Sequence, residues 1–397
     1  MEALARKEAT YLPAPRFDKR LGVVTHVPHW RGSDGRPWAY EPYVRELRLW
    51  ADLFSQVEIL APTGNGPMRG NQAPYERSNI TWSPFAYSLS YKPWSPLRRL
   101  TQVPALAWHI DRLISRCDLI HLRSPGHPAL IGQLFVRLRR RFSITKWAGL
   151  FDAFPGERLP SQLERQIVGW GTERHPVLIY GRTDRPGLIP FMPALMSESE
   201  LTKARLLSAG KSWSHPWRLL SVGRLLAVKN FELAIAGLGE LHQRRPDLEW
   251  EYVIVGDGPE ASTLRALATK HRITQRVRFT GALPFDEVQR HYAWAQLVIM
   301  PGVKEGWPKI IAEAWAHRAI PVAAAAGLVP SILQGAEYGA AFTPTPVGLA
   351  DTLVTLMERK IDVQSLLERC AARANDLSLE RFRERLEEVL VNRCGLN

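Results

Sequence analysis

Leu297-Val298-Ile299-Met300 is followed, after a short loop, by Glu305-Gly306-Trp307-Pro308-Lys309-Ile310-Ile311-Ala312-Glu313. The first four residues are an apolar run of strand length, and the Gly-Trp-Pro turn separates them from a stretch with helical spacing. Strand, turn and helix in that order are half of a βαβ unit, the building block of parallel sheets covered on both faces. If the helix begins at the turn, the two glutamates lie roughly 80° past two full turns and about 12 Å apart along the axis. They then share one broad side, one at the helix mouth and one deeper. A ligand with two hydroxyl-rich ends and a charged middle fits that spacing, and a nucleotide-sugar is such a ligand. Pro308 is expected in the first turn, where its missing N–H costs nothing, with the Gly306 and Trp307 N–H groups facing the ligand. A solvated helix face would explain a lone pair of glutamates equally well. The run Glu-Gly-Trp-Pro-Lys behind a buried strand is much rarer.

The same alternation continues through the second half. Strands are predicted at 218–222, 251–255, 277–279, 297–300 and 320–323, with helices at 231–244, 259–270 and 285–295 between them. The first half follows the pattern less regularly. Strands are expected at 21–25, 57–60, 119–122, 143–147 and 177–180, and helices at 40–54, 103–116, 129–141 and 161–168. A Gly-containing loop (Gly32-Ser33-Asp34-Gly35) follows the first strand, residues 63–96 read as loop with short strands, and 187–193, with Pro190 and Pro193, read as an interdomain linker. Two doubly wound α/β domains in tandem are the resulting expectation, with ligands at the carboxyl ends of the strands.

Length and composition agree. A chain of 397 residues is too long for one ordinary core. Its 45% hydrophobic and 23% charged content is that of a globular protein. Cys117, Cys370 and Cys394 form no metal-ligand or redox pair, which suits a reducing cytoplasm. The start, Met1 to Glu8, lacks the apolar run of a signal peptide, and no stretch is long and apolar enough to span a bilayer. The formal charge is +13 and uneven: 29 Lys and Arg face 18 Asp and Glu in residues 1–205, against 23 and 21 thereafter. A phosphorylated substrate, an anionic membrane surface, nucleic acid or mere solvation would each account for the excess.

Three further elements of the second half each follow a strand. Gly223-Arg224-Leu225 with Lys229-Asn230 places two cations beside a helix start, the combination a diphosphate needs. Gly256-Asp257-Gly258-Pro259 permits close backbone approach, although a tight strand–helix turn looks identical. Gly281-Ala282-Leu283-Pro284 is a small apolar loop able to wall a nucleobase, or an ordinary turn.

Taken in order, Gly-Arg-Leu with Lys-Asn, Val-Gly-Asp-Gly-Pro, Phe-Thr-Gly and Glu-Gly-Trp-Pro-Lys with Glu313-Ala314 resemble the retaining glycosyltransferases of family 4. The likeness is specific over 218–340 and diffuse before it. It implies a GT-B fold, two Rossmann-like domains facing across a cleft. Residues 1–190 would bind the acceptor and 191–375 the nucleotide-sugar, and a helix within 376–397 would return to the first domain. Carried over by position, Arg224 and Lys229 hold the diphosphate and stabilise it as leaving group. Glu305 binds donor-sugar hydroxyls, with Gly306, Trp307, Pro308 and Lys309 beside it, and Glu313 holds the ribose. Gly223, Gly256 and Gly258 belong to the donor site, and Ala282 and Leu283 contact the base. Many members place a His after the strand that here reads Ser143 to Trp147. This chain has Lys146-Trp147-Ala148-Gly149 there, and its first-strand glycines, Gly32 and Gly35, are split by Ser33-Asp34.

The expected activity is a metal-independent hexosyltransferase with no cofactor, moving sugar from a nucleotide-sugar to a saccharide or lipid-linked acceptor in polysaccharide or glycan synthesis. No Asp-x-Asp metal motif is present, so basic residues take the metal's place. Residues 129–141 combine Leu130, Ile131, Leu134, Phe135 and Leu138 with Arg137, Arg139, Arg140 and Arg141, a helix able to lie on anionic lipid. A cytoplasmic protein, peripheral at the inner face of the membrane, is expected. The alternatives are a nucleotide-sugar epimerase or phosphorylase on the same fold. A basic nucleic-acid-binding protein is a third, but its zinc, basic-zipper and RNA-recognition signatures are missing, so no nucleic-acid partner is expected.

Overall fold

The computed structural model describes residues 15–68, 72–86, 95–153, 157, 159–170, 174–181, 183–358 and 362–396. The reading of Met1 to Glu8, and parts of that for 63–96, lie outside these residues. The chain divides into two compact units, Met1–Phe191 with Arg383–Asn397, and Met192–Phe382.

In the first unit, β1 (Phe17–Val24), β4 (Phe54–Pro62), β6 (Ile80–Phe85), β7 (Leu119–Ser124), β8 (Ser143–Leu150), β9 (Val177–Tyr180) and β10 (Leu188–Pro190) form a parallel sheet in the order β10-β9-β8-β7-β1-β4-β6. The chain winds outward from β1 through β4 to β6, then returns to β7 on the other side of β1. The topological switch therefore lies between β1 and β7. Helices α1 (Glu41–Ala51), α2 (Ser95–Arg116), α3 (His127–Leu138) and α4 (Leu159–Val168) connect the strands.

Two expectations for this unit are corrected, and the glycine loop gains its place. The stretch 187–193 is not a free linker, because Leu188–Pro190 pairs in parallel with Val177–Ile179. Pro190 is tolerated there because β10 is an edge strand, where a missing N–H breaks no ladder. Gly32 to Gly35 turn a hairpin between β2 (His29–Arg31) and β3 (Pro37–Tyr40). With β5 (Gln72–Pro74) these strands make a small antiparallel sheet of their own. A Cβ at Gly32 would fall 2.3 Å from Trp38 Nε1, so the turn is packed on an indole. The helix expected over 40–54 is shorter, since Tyr40 ends β3 and Phe54 opens β4.

The second unit contains β11 (Trp217–Val222), β12 (Trp250–Val255), β13 (Val277–Gly281), β14 (Leu297–Met300), β15 (Ile320–Ala324) and β16 (Ala340–Phe342), all parallel, in the order β13-β12-β11-β14-β15-β16. Its switch point lies between β11 and β14. Every residue of β14 and β15 is buried, as parallel strands covered on both faces require. The connecting helices are α5 (Glu198–Leu207), α6 (Phe231–Arg244), α7 (Ala261–Lys270), α8 (Phe285–Trp294), α9 (Lys309–Ala316), α10 (Val329–Leu333), α11 (Pro346–Glu358) and α12 (Val363–Asn375). A capping box starts α5: Ser197 Oγ accepts the Glu200 N–H at 3.1 Å, and Glu200 Oε2 accepts the Ser197 N–H at 2.7 Å. The last helix, α13 (Leu379–Cys394), begins in this unit, and from Arg383 onward belongs to the first. There Glu387 pairs with Arg16 at 2.8 Å.

Candidate active site

At the carboxyl edge of the second sheet, backbone bonds lace the loops together. The Gly223 N–H donates to Val255 O at 2.9 Å, Leu225 N–H to Asp257 O at 2.9 Å, and Gly256 N–H to Gly281 O at 2.8 Å. Two glycines permit this approach. Gly256 has φ 144°, and a Cβ on it would sit 1.9 Å from Gly223 O. One on Gly258 would sit 2.3 Å from Leu225 O. Both are therefore needed to join the loops, whatever else they do.

Beyond Leu225 the chain makes a short turn, Ala227–Lys229, and Asn230 enters the left-handed region (φ 55°) before α6. That turn aims Lys229 across the switch point. Its Nζ lies 2.5 Å from Glu305 Oε1, with the two side chains 34% and 21% exposed. Gly302 makes room for the pair, since a Cβ there would lie 3.1 Å from Glu305 Oε1. An ion pair this exposed contributes only about 0–1 kcal/mol, so an incoming ligand can break it readily. Arg224 is exposed, with no ion-pair partner among the described residues.

The glutamate helix differs from expectation. Helix α9 starts at Lys309, with Pro308 extended (φ −77°, ψ 102°) at its N-cap. Glu305 therefore precedes the helix, and the same-side, roughly 12 Å spacing derived for a helix that began at the turn does not apply. Its ψ is extended, not helical, so Pro308 caps the helix from outside and is not its first residue. The Trp307 ring packs edge-on against Trp315 (6.3 Å, 76°), anchoring the turn to the helix it precedes. Lys309 opens α9 and is half-buried, as is Gly306 within the turn.

Glu313 is on α9 and half-buried, and its Oε2 accepts a 2.5 Å bond from the Tyr292 hydroxyl. Burial raises the Glu313 pKa above the usual carboxylate range, and the Tyr292 bond and Lys309 charge partly oppose the rise. Tyr292 is fully buried on α8 and stacks on His317 at 5.4 Å, while His317 Nδ1 donates to Glu313 O at 2.8 Å. Both helices end on one amine. Lys211 Nζ reaches the carbonyls of Ala295 (2.5 Å), His317 (2.7 Å) and Arg318 (3.0 Å), closing the C-termini of α8 and α9. Sequence reasoning missed Tyr292 and Lys211. A tyrosine in an amphipathic helix reads as packing, and a lysine in a loop reads as solvated. Leu283 borders the same small apolar cluster as Val222 and Ile310, and Ala282 is exposed beside it.

The structure thus joins Lys229 to Glu305 and ties Gly223, Gly256 and Gly258 into one loop cluster. It sets Leu283, Val222 and Ile310 around one apolar cluster.

Nearly the whole chain is similar in fold to solved structures, among them a glycosyltransferase. Anabaena HepE in complex with UDP superposes with TM-score 0.65 at 18% identity, covering 94% of this chain and 99% of that one. WaaG, a glycosyltransferase involved in lipopolysaccharide biosynthesis, gives 0.61 at 13% identity, covering 94% and 100%. At such identities the likeness concerns the fold, which is GT-B: two Rossmann-like α/β units.

Residues 216–359, within the second unit, match the model of the glycosyl transferases group 1 family. D-inositol 3-phosphate glycosyltransferase of Corynebacterium efficiens is 32% identical over 142 residues, 34% of each chain. Alpha-D-kanosaminyltransferase of Streptomyces kanamyceticus is 30% identical over 166 residues, 41% of each. The matching region thus spans about a third to two fifths of these curated relatives.

Proposed function

We propose that this chain is a retaining glycosyltransferase, moving a hexosyl group from a nucleotide-sugar to a hydroxyl of a saccharide or lipid-linked acceptor. The observation that carries the reading is the Lys229–Glu305 pair beside an exposed Arg224, at the switch point of the unit that matches the family. Doubly wound sheets bind ligands at that place.

Glycosyl transfer develops positive charge on the ring and negative charge on the departing phosphate. In this reading a diphosphate takes Lys229 from Glu305 and is gripped by Arg224. The two cations then oppose the growing negative charge in the transition state. Glu305, released, accepts bonds from donor-sugar hydroxyls, and Glu313 accepts them from the ribose. No metal is needed, so activity should survive a chelator; its loss, restored by magnesium or manganese, would reassign the charge stabilisation. The relatives described above are all named as transferases or glycosyltransferases, or bind UDP, which supports transfer over epimerisation.

An anionic membrane surface is the proposed location of the acceptor. Trp108 on α2 and Leu134 and Leu138 on α3 are exposed large apolar side chains, and Arg139, Arg140 and Arg141 are exposed beside them. Aromatic and apolar groups flanked by arginines suit an interface with anionic lipid. Among the described residues no helix is long and apolar enough to cross a membrane. We place the protein on the cytoplasmic face, a reading supported by three buried, unbridged cysteines. Flotation should recover it with anionic vesicles and not with neutral ones.

The deciding experiment is product analysis with radiolabelled UDP-, GDP-, ADP- and dTDP-sugars. Label transferred only when an acceptor is present supports the reading. Isomerised sugar without an acceptor, or sugar 1-phosphate formed with inorganic phosphate, would replace it with epimerase or phosphorylase.

A further inference from the structure

The switch point of the first unit carries its own cluster of arginine, lysine and histidine side chains. Arg123 projects from β7, Lys146 from β8, His26 follows β1, and His127 opens α3. Arg123 Nη1 and Lys146 Nζ bind the same carboxylate, Glu46 on α1, at 2.9 and 2.7 Å. Lys146 is buried, whereas 16% of the Arg123 side chain stays exposed, so the guanidinium is the edge of the cluster that solvent reaches. His26 packs on Gly126, where a Cβ would lie 2.7 Å from its Nδ1, and that nitrogen is buried without a hydrogen-bond partner. Its pKa is depressed by burial first and then by Arg123 and His127, which face it.

This arrangement is unlike a balanced buried ion pair. Two cations share one carboxylate, and charges withdrawn from water are costly until countered. At the start of α3 the Gly126 N–H is already taken, donating to Glu164 at 2.8 and 3.0 Å. An anion arriving here would be held by side chains, with Arg123 offering a planar fork suited to phosphate or carboxylate oxygens.

We infer that the carboxyl edge of the first sheet, at Arg123, His26 and His127, binds a phosphate or carboxylate group of the acceptor, so that the acceptor is an anionic molecule. The inference rests on the reading of the first unit as the acceptor-binding one. It extends the switch-point rule from the second sheet, where the cations are Arg224 and Lys229, to the first.

Calorimetry tests it on the full chain carrying Arg224→Ala and Lys229→Ala, which silences the phosphate-binding groups proposed for the second unit. Glycerol 3-phosphate should bind and glycerol should not, and adding Arg123→Gln should weaken binding at least tenfold. Vesicles of phosphatidic acid in phosphatidylcholine are the second arm. Arg123-dependent binding to these alone assigns the group to a lipid headgroup, and binding to the soluble ester assigns it to a free phosphate. No binding in either arm, or binding that Arg123→Gln leaves unchanged, overturns the site. Should Arg123→Gln lose its circular-dichroism signature, the exposed His127→Gln replaces it, with a several-fold loss expected and an unchanged affinity counting against the site. Nucleotide-sugar binding by the otherwise native Arg123→Gln chain should match the parent. If the parent binds no nucleotide-sugar, the transferase reading falls while the phosphate result stands by itself.

Discussion

Lys229 and Glu305 neutralise each other across 76 positions of sequence, and in the proposed function a diphosphate parts them. On that proposal, removing either cation leaves only one to oppose the leaving-group charge. Arg224→Ala and Lys229→Ala should each lower kcat by well over tenfold, more than about 1.4 kcal/mol of barrier, with folding preserved. Steady-state rates beside circular dichroism check this, and full turnover in both variants would remove the diphosphate assignment. Tyr292 acts one bond further out. Tyr292→Phe deletes the hydroxyl that orients Glu313 and holds its pKa down, so the carboxyl should protonate at a higher pH than in the parent. Donor KM should rise about fivefold, most steeply on the acid side, with kcat less affected. An unchanged KM across the pH range would count against ribose binding at Glu313. At this scale the motifs singled out Arg224, Lys229 and the two glutamates, and the structure pairs Lys229 with Glu305. Who bonds whom was hidden, since residues 76 or 21 positions apart meet only through the sheet.

Between elements, the contact of α3 with α4 contains a measurable proton. Glu164 on α4 is buried against the start of α3, and burial pushes its pKa up to about 7, outweighing the nearby Ser124 hydroxyl and the bonds it accepts from the Gly126 N–H. The unfolded value is near 4.5. Between those two pH values the folded chain binds more protons than the unfolded one, so this group makes stability fall as pH rises from 4.5 to 7. Glu164→Gln cannot ionise and escapes that loss. Its stability relative to the parent should improve by up to about 3 kcal/mol between pH 4.5 and pH 8, read by urea denaturation. A difference independent of pH would contradict the buried acid. Element positions were largely readable, because parallel strands buried on both faces, such as Leu297 to Met300, leave an unmistakable apolar run. The start of α9 was not. Helical spacing does not reveal that Pro308 caps the helix from outside, leaving Glu305 in a turn. Leu188 to Pro190 was obscured for a related reason, since an edge strand tolerates the proline that suggested a linker.

Over the whole molecule, two α/β units followed from the alternation of strands and helices, and their GT-B character from the motif order in residues 218–340. The small sheet of β2, β3 and β5 left no signal, as strands of three or four residues show no periodicity. The excess charge of residues 1–205 gains a structural address in the arginines exposed around α3 and the cations at the β1–β7 switch point. In the proposed function the second unit grips the donor and the basic first unit takes an anionic acceptor. The foundation of that reading is the donor grip. A crystal structure with an intact nucleotide-sugar should place the diphosphate within hydrogen-bond distance of Arg224 and Lys229, Glu305 on the sugar hydroxyls and Glu313 on the ribose. A diphosphate bound elsewhere, with Lys229 still paired to Glu305, would contradict it.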